Sequence, residues 1–212
     1  MNVFFRLVVI GSLLLSGFAA QANDALASLQ LKWAQATYQT DGDARVDALT
    51  ALADEARTAC PADCAEPGLL IWKGIITSSL AGEKGGLGAL GLAKEAKSSL
   101  EAALDLDDQA LDGSAYTSLG TLYHKVPGWP IGFGNDKKAQ SLMTKALKIN
   151  PTGIDANYFM GEYLYDEGEY AKARTHLLTA QNAPARPGRQ VADAGRQQEV
   201  RELLAKIDAE LN

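Results

Sequence analysis

Apolar and small residues recur along most of this chain about every three to four positions, the spacing of one helix face, with little of the alternation that marks strands. The most regular stretch is GIDANYFMGEYLYDEGEYAKARTHLLTAQ, Gly153 to Gln181. Gly168 interrupts it, so the pattern predicts two antiparallel helices joined by a tight turn. ALDGSAYTSLGTLYHK followed by KKAQSLMTKALKINP predicts a second pair, and GLLIWKGIITSSLA with KEAKSSLEAALDLD a third. Farther N-terminal, SLQLKWAQATYQT and DARVDALTALADEARTA read as another helical pair. VADAGRQQEVRELLAKIDAEL carries Val200, Leu203, Leu204, Ile207 and Leu211 on one stripe and predicts a last amphipathic helix, polar outside.

The pairs share more than periodicity. Met160-Gly161, Leu164, Gly168, Tyr170, Ala173, Leu177 and Ala180 resemble, in order, the characteristic sites of the tetratricopeptide (TPR) repeat, a helix hairpin of roughly 34 residues. Small Gly161 and Ala173 let two backbones approach, while Tyr170 and Leu177 fill the seam. Ala139, Met143, Ala146, Leu147 and Pro151 occupy second-helix offsets, and Tyr116, Leu119-Gly120 and Tyr123 first-helix offsets, in the preceding pair. Ala96, Leu100, Ala103 and Leu104, with Trp72 as an apolar anchor, mark a divergent unit upstream. The resemblance implies an all-α, right-handed stack of antiparallel helix hairpins, a TPR-like solenoid. Its expected parts are a helix pair over 23–59, repeats over 68–107, 110–151 and 153–183, and a capping helix over 191–211. It further implies a concave groove lined by first helices, with Thr117, Thr121, His124, Lys125, Tyr158, Glu162, Tyr165 and Asp166 facing a partner. For the tyrosines, packing against the neighbouring repeat is the other reading.

Two glycine-rich segments disturb the regular spacing. Gly120 to Gly161 is seven residues longer than one repeat, and the surplus falls in VPGWPIGFGND, 126–136, between two helices of one hairpin. Pro127 and Pro130 restrict the backbone beside Trp129. Trp129 and Phe133 are expected to fold back over the open edge of the repeat, the alternative being an exposed aromatic hot spot. GEKGGLGALG, one repeat earlier, is expected to be a second long insert in the equivalent turn. Its Gly86-Leu87-Gly88-Ala89-Leu90-Gly91 fits G-x-G-x-x-G, but a helix rather than a strand precedes it, which argues against a dinucleotide site.

The first residues change the compartment. Arg6, the apolar run Leu7 to Leu15 and Ala20-Gln21-Ala22 read as a secretory signal peptide, Met1–Ala22, cut before Asn23. Its apolar core falls short of the roughly 20 residues that span a bilayer. No cysteine follows the small residues, so a lipid anchor is not expected, nor is stable membrane insertion after cleavage. The mature chain, 23–212, reads as one periplasmic or secreted domain. Without Arg6, 19 basic side chains face 26 acidic ones, a balance that argues against nucleic acid and anionic membrane surfaces. The two cysteines, Cys60 and Cys64 in CPADC, are expected to form a disulfide staple, the alternatives being free thiols or a redox or metal role.

Candidate chemistry is sparse. His124 and His176 lie on different predicted helices, no hydrolase, zinc-protease or calcium-loop pattern occurs, and no catalytic residue, metal site or cofactor is expected. Arg186, Arg189 and Arg196 cluster near the C-terminus; salt bridging to nearby carboxylates is the expected role, with carboxylate recognition the alternative. The order helix, glycine-rich insert, helix, followed by P-x-x-x-G-x-x-x-K-A (Pro130 to Ala139), also resembles the divergent TPR family containing the T component of TRAP-type (tripartite, periplasmic) transporters. The primary expectation is therefore a non-enzymatic periplasmic scaffold binding a protein or peptide. The second is a transport accessory that docks a substrate-binding protein or holds a small apolar molecule.

Overall fold

A computed structural model describes the backbone of residues 7–211 and their side chains, those of residues 7–20 and Leu87 excepted. Among the described residues there are nine α-helices: α1 (Leu7–Tyr38), α2 (Gly42–Ala59), α3 (Pro67–Lys84), α4 (Gly86–Leu106), α5 (Ala110–Lys125), α6 (Asp136–Ile149), α7 (Ile154–Asp166), α8 (Tyr170–Gln181) and α9 (Gln190–Glu210). Of the expected signal peptide, Met1–Arg6 lie outside the described residues, and α1 runs through the expected cleavage point. None of the described helices is long and apolar enough to cross a membrane.

Local chemistry explains several boundaries. Pro67 opens α3, where its missing N–H costs nothing. Asn135 caps α6 by accepting the Lys138 N–H at 2.9 Å. Gly168, at φ +75°, reverses the chain between α7 and α8. The first turn of α5 departs from the regular helix, because Leu111, Asp112 and Gly113 are left-handed. After α2 the chain is stapled by the Cys60–Cys64 disulfide, whose Cα atoms are 5.1 Å apart, and Lys73 donates to the Cys60 carbonyl at 3.0 Å.

One packing contact is built three times. A Cβ on Gly74 would sit 2.6 Å from Leu100 Cγ and 3.2 Å from the Ala96 carbonyl. On Gly120 it would meet Met143 Cγ at 2.8 Å and the Ala139 carbonyl at 3.2 Å, and on Gly161 Leu177 Cγ at 2.8 Å and the Ala173 carbonyl at 3.3 Å. In each hairpin a glycine on the first helix admits the backbone of the second, and the three facing alanines are wholly buried. The Gly74 version escapes sequence inspection because its neighbours do not match the other two.

Each helix packs on its sequential neighbour, and the odd-numbered helices also pack on one another: α1 on α3, α3 on α5, α5 on α7 and α7 on α9. The last helix then returns to the first, α9 on α1. Tyr38 lies against Gly195, where a Cβ would fall 2.3 Å from its ring, and its hydroxyl meets Glu199 at 3.2 Å. The odd helices thus form an inner ring, and the open groove implied by the sequence is narrowed into a central space. α9 does bury an apolar stripe, Val200, Leu203, Leu204 and Ile207, but it closes the ring as well as covering α8.

The second expected insert is not an insert. GEKGGLGALG is helical except at Gly85, because Gly85 and Gly86, at φ +60° and +62°, suffice to reverse the chain. The other segment is a true loop, 126–135, held by Gly134 N–H to the Pro127 carbonyl and Asn135 N–H to the Tyr123 carbonyl, with a cis Trp129-Pro130 bond. Its aromatic residues divide. Phe133 is half-buried, edge-on to Tyr123 with ring centres 5.5 Å apart, as a cover for the hairpin should be. Trp129 is 90% exposed, contrary to the expected fold-back. The loop is tied at both ends of VPGWPIGFGN, and Trp129 projects from it into solvent.

Candidate functional site

A cavity of about 690 Å³ lies within the inner ring. Its walls come from all five odd helices, the start of α4 and the loop 126–135. The surface is mainly apolar: Trp33, Trp72, Ile75, Ala93, Leu122 and Phe159 contribute to it. Trp33 and Trp72 meet edge to face at 5.5 Å.

Several wall residues are small and carry hydroxyls, yet most of these bond back to their own helix. Ser78 and Ser79 donate to the Ile75 carbonyl at 2.8 and 2.9 Å, Ser114 to that of Leu111 at 2.6 Å and Thr121 to that of Thr117 at 3.0 Å. Trp33 Nε1 donates to Ser79 Oγ at 2.9 Å. With these donors engaged, the hydroxyls have no hydrogen left to give a molecule in the cavity, though their oxygens can still accept. Gly82, Gly85 and Gly86 border the cavity too, and a Cβ on any of them would meet open space.

One end is charged. Asp155 accepts from Arg196 Nε at 2.9 Å and from Arg186 Nη1 at 2.6 Å. Arg186 also donates to Asp193 at 2.7 Å, and Arg196 to Glu199. The Arg196 guanidinium lies 4.4 Å from the Tyr158 ring centre and 4.5 Å from that of Phe159. About a third of the Asp155 side chain remains open, yet it is surrounded by protein because it faces the cavity. Burial pushes its carboxyl up, but Arg196 and Arg186 together prevail and hold its pKa at about 2. Burial raises the Tyr38 and Tyr158 hydroxyls well above the usual phenol value.

Successive helices are antiparallel, so the odd helices run parallel. Asp155, in the first turn of α7, and the loop leaving the end of α5 consequently lie at opposite ends of the cavity. Ile131 lines the cavity and is 64% exposed, so the space reaches solvent at the loop.

Of the groove residues named from sequence, Thr117, Thr121 and Lys125 line this cavity. Lys125 reaches Asp166 at 2.7 Å and Glu162 at 3.4 Å, an ion-pair group on the rim. His124 turns towards α7, with Nε2 2.8 Å from Asp166 and its ring edge-on to Tyr163. Tyr158 is buried beneath Arg196, and Tyr165 leans on Tyr170 with ring centres 5.5 Å apart. The two histidines stay apart: His176 Nδ1 pairs with the Asn157 side-chain oxygen at 3.0 Å, and burial lowers its pKa. The residues that sequence reasoning missed are Trp33, the serines of α3 and the cavity-facing role of Trp72. Only tertiary packing brings them together, and no local motif marks them.

The chain matches no protein-family model, and no curated protein matches it at a significant level.

Proposed function

We propose that this chain is a periplasmic, TPR-like helical accessory protein whose central cavity holds a small, largely apolar molecule. The observation that carries this reading is the cavity itself: about 690 Å³, walled largely by aromatic and aliphatic side chains, with an arginine–carboxylate cluster at one end and Lys125 on the opposite rim. The thrice-built glycine contact supports the TPR-like description, because it repeats the close approach of two helices on which that unit depends. A Cys60–Cys64 disulfide accords with an oxidising compartment and with cleavage of the expected signal after Ala22. An accessory resembling the T components of TRAP-type transporters fits these features better than a peptide-binding groove, since α9 closes the ring on α1 and narrows access for an extended chain.

The test is saturable binding of a neutral apolar fluorophore, N-phenyl-1-naphthylamine, to the mature protein. Emission should rise to saturation at one probe per chain. G82L, which places a side chain in the open space beside Gly82, should abolish the rise without lowering the melting temperature, since leucine also favours the helix. Absence of saturable binding by the unaltered protein overturns the reading.

A second reading, docking of a protein partner, is favoured by a separate observation. Trp129 and Ile131 are both exposed on the loop that borders the cavity, an arrangement suited to an aromatic anchor at an interface. W129A should abolish co-purification of a periplasmic partner with the tagged protein; retention equal to that of the unaltered chain removes this reading.

A further inference from the structure

The charged end of the cavity holds three arginines, and they are not equivalent. Arg186 and Arg196 are each shared between two carboxylates: Asp155 and Asp193 for the first, Asp155 and Glu199 for the second. Arg189 lines the same cavity, its guanidinium carbon 4.8 Å from the centre of the Trp72 ring. It makes no ion pair among the described residues, and its Nε is shut off from solvent without a hydrogen-bond partner. Burial, reinforced by Arg186, pulls its pKa below the usual arginine value.

Formally the three arginines balance Asp155, Asp193 and Glu199. The geometry is uneven, however, because every one of those carboxylates is already engaged by Arg186 or Arg196. Burial also raises the Glu199 carboxyl above its ordinary value, against the pull of Arg196 and the Tyr38 hydroxyl. A guanidinium seated against an indole in an apolar wall gains from the ring face, yet its N–H groups still require an acceptor.

We propose that the ligand of this cavity is an amphipathic monocarboxylate, its carboxylate received by Arg189 and its apolar body lying along α3 and α5. The inference rests on the ligand-binding reading above and specifies the chemistry of that ligand. A carboxylate matches the planar fork of the guanidinium and offers acceptors to its terminal N–H groups, since Nε is closed off from the cavity. Asp155, facing the same space, opposes a doubly charged head and so favours a carboxylate over a phosphate. The body of such a molecule would cover Ile75, Ala93 and Leu122, away from the charged end.

The experiment is calorimetric titration of the mature protein with decanoate and with decanol, repeated on R189Q and R189K. Decanoate should bind about ten- to a hundredfold more tightly than decanol, the range set by one charge-assisted contact. R189Q should erase that preference while leaving decanol affinity within about twofold, and R189K should restore part of it. A circular dichroism melt of each variant establishes that it is folded. Equal affinities for acid and alcohol in the unaltered protein overturn the head-group assignment and leave the cavity reading intact. A preference for acid that survives in R189Q overturns the role of Arg189. Binding of neither molecule, together with failure of the neutral fluorophore, overturns the cavity reading and this inference with it.

Discussion

The two ends of the cavity are built on opposite principles. At one, Asp155, Arg186, Asp193, Arg196 and Glu199 form a charge cluster in which every carboxylate is engaged and two arginines are each shared between two acids. At the other, the loop 126–135 is tied down by Phe133 while Trp129 and Ile131 stand in solvent. The first end joins α7, the α8–α9 connection and α9, so its loss should be felt across the fold. The second end is bordered by the start of α4 and the α5–α6 hairpin, and the side chains at the loop tip, Trp129 and Ile131, are exposed. Stability should therefore concentrate at the charged end, and freedom to meet other molecules at the loop.

Removing the Arg196 head group is the strongest challenge to that contrast. R196A leaves Asp155 and Glu199 without their shared cation and uncovers Tyr158 and Phe159. The expected cost is about 3–5 kcal/mol in chemical denaturation, the range for breaking a buried pair on one side. A cost below that of a surface substitution would show that the cluster carries no structural weight. Next in size, F133A should cost about 1–2 kcal/mol, less than a fully buried phenylalanine, because only part of its ring is covered. It should also loosen the loop, read as faster amide exchange at Gly134 and Asn135, whose N–H groups bond the Pro127 and Tyr123 carbonyls.

The Asp155 carboxyl gives a smaller effect with a defined pH window. Its pKa falls from an ordinary 3.8 to about 2 in the folded chain, so the unfolded state takes up its proton first as pH drops. Its stabilisation is complete above pH about 4 and is lost as pH falls towards 2. The amount is about 1–2 kcal/mol, reduced for the solvent that reaches its open third. D155N should flatten that part of the stability profile. Smallest of all, W129A should change stability by less than about 0.5 kcal/mol, since the ring is 90% exposed. A larger loss would mean that the loop tip is part of the core and would erase the contrast between the ends.

Helix content and hairpin order were legible in the sequence because both depend on local rules. Apolar residues at helical spacing and Gly168 in its turn announced α7 and α8; the pairing of Gly161 with Ala173 followed from the same pattern. Glycine count misled at GEKGGLGALG, since glycine permits a turn without compelling one, and only Gly85 and Gly86 take the conformation that needs it. The aromatic loop was located by spacing alone, but spacing says nothing of which way a ring points, and Trp129 and Phe133 divided.

The candidate site was far less legible. Thr117, Thr121 and Lys125 could be named from their helix face, whereas Trp33, Trp72, Asp155 and Arg189 come from four separate segments. The sequence by itself determined an all-helical chain, its hairpins and the stapled CPADC turn, because periodicity, turn residues and short spacing act over a few residues. The tertiary structure alone decided that α9 returns to α1, that a groove becomes a cavity, and that Arg186 and Arg196 find carboxylates while Arg189 meets only an indole. Those outcomes depend on which distant surfaces bury each other, and no local pattern encodes that.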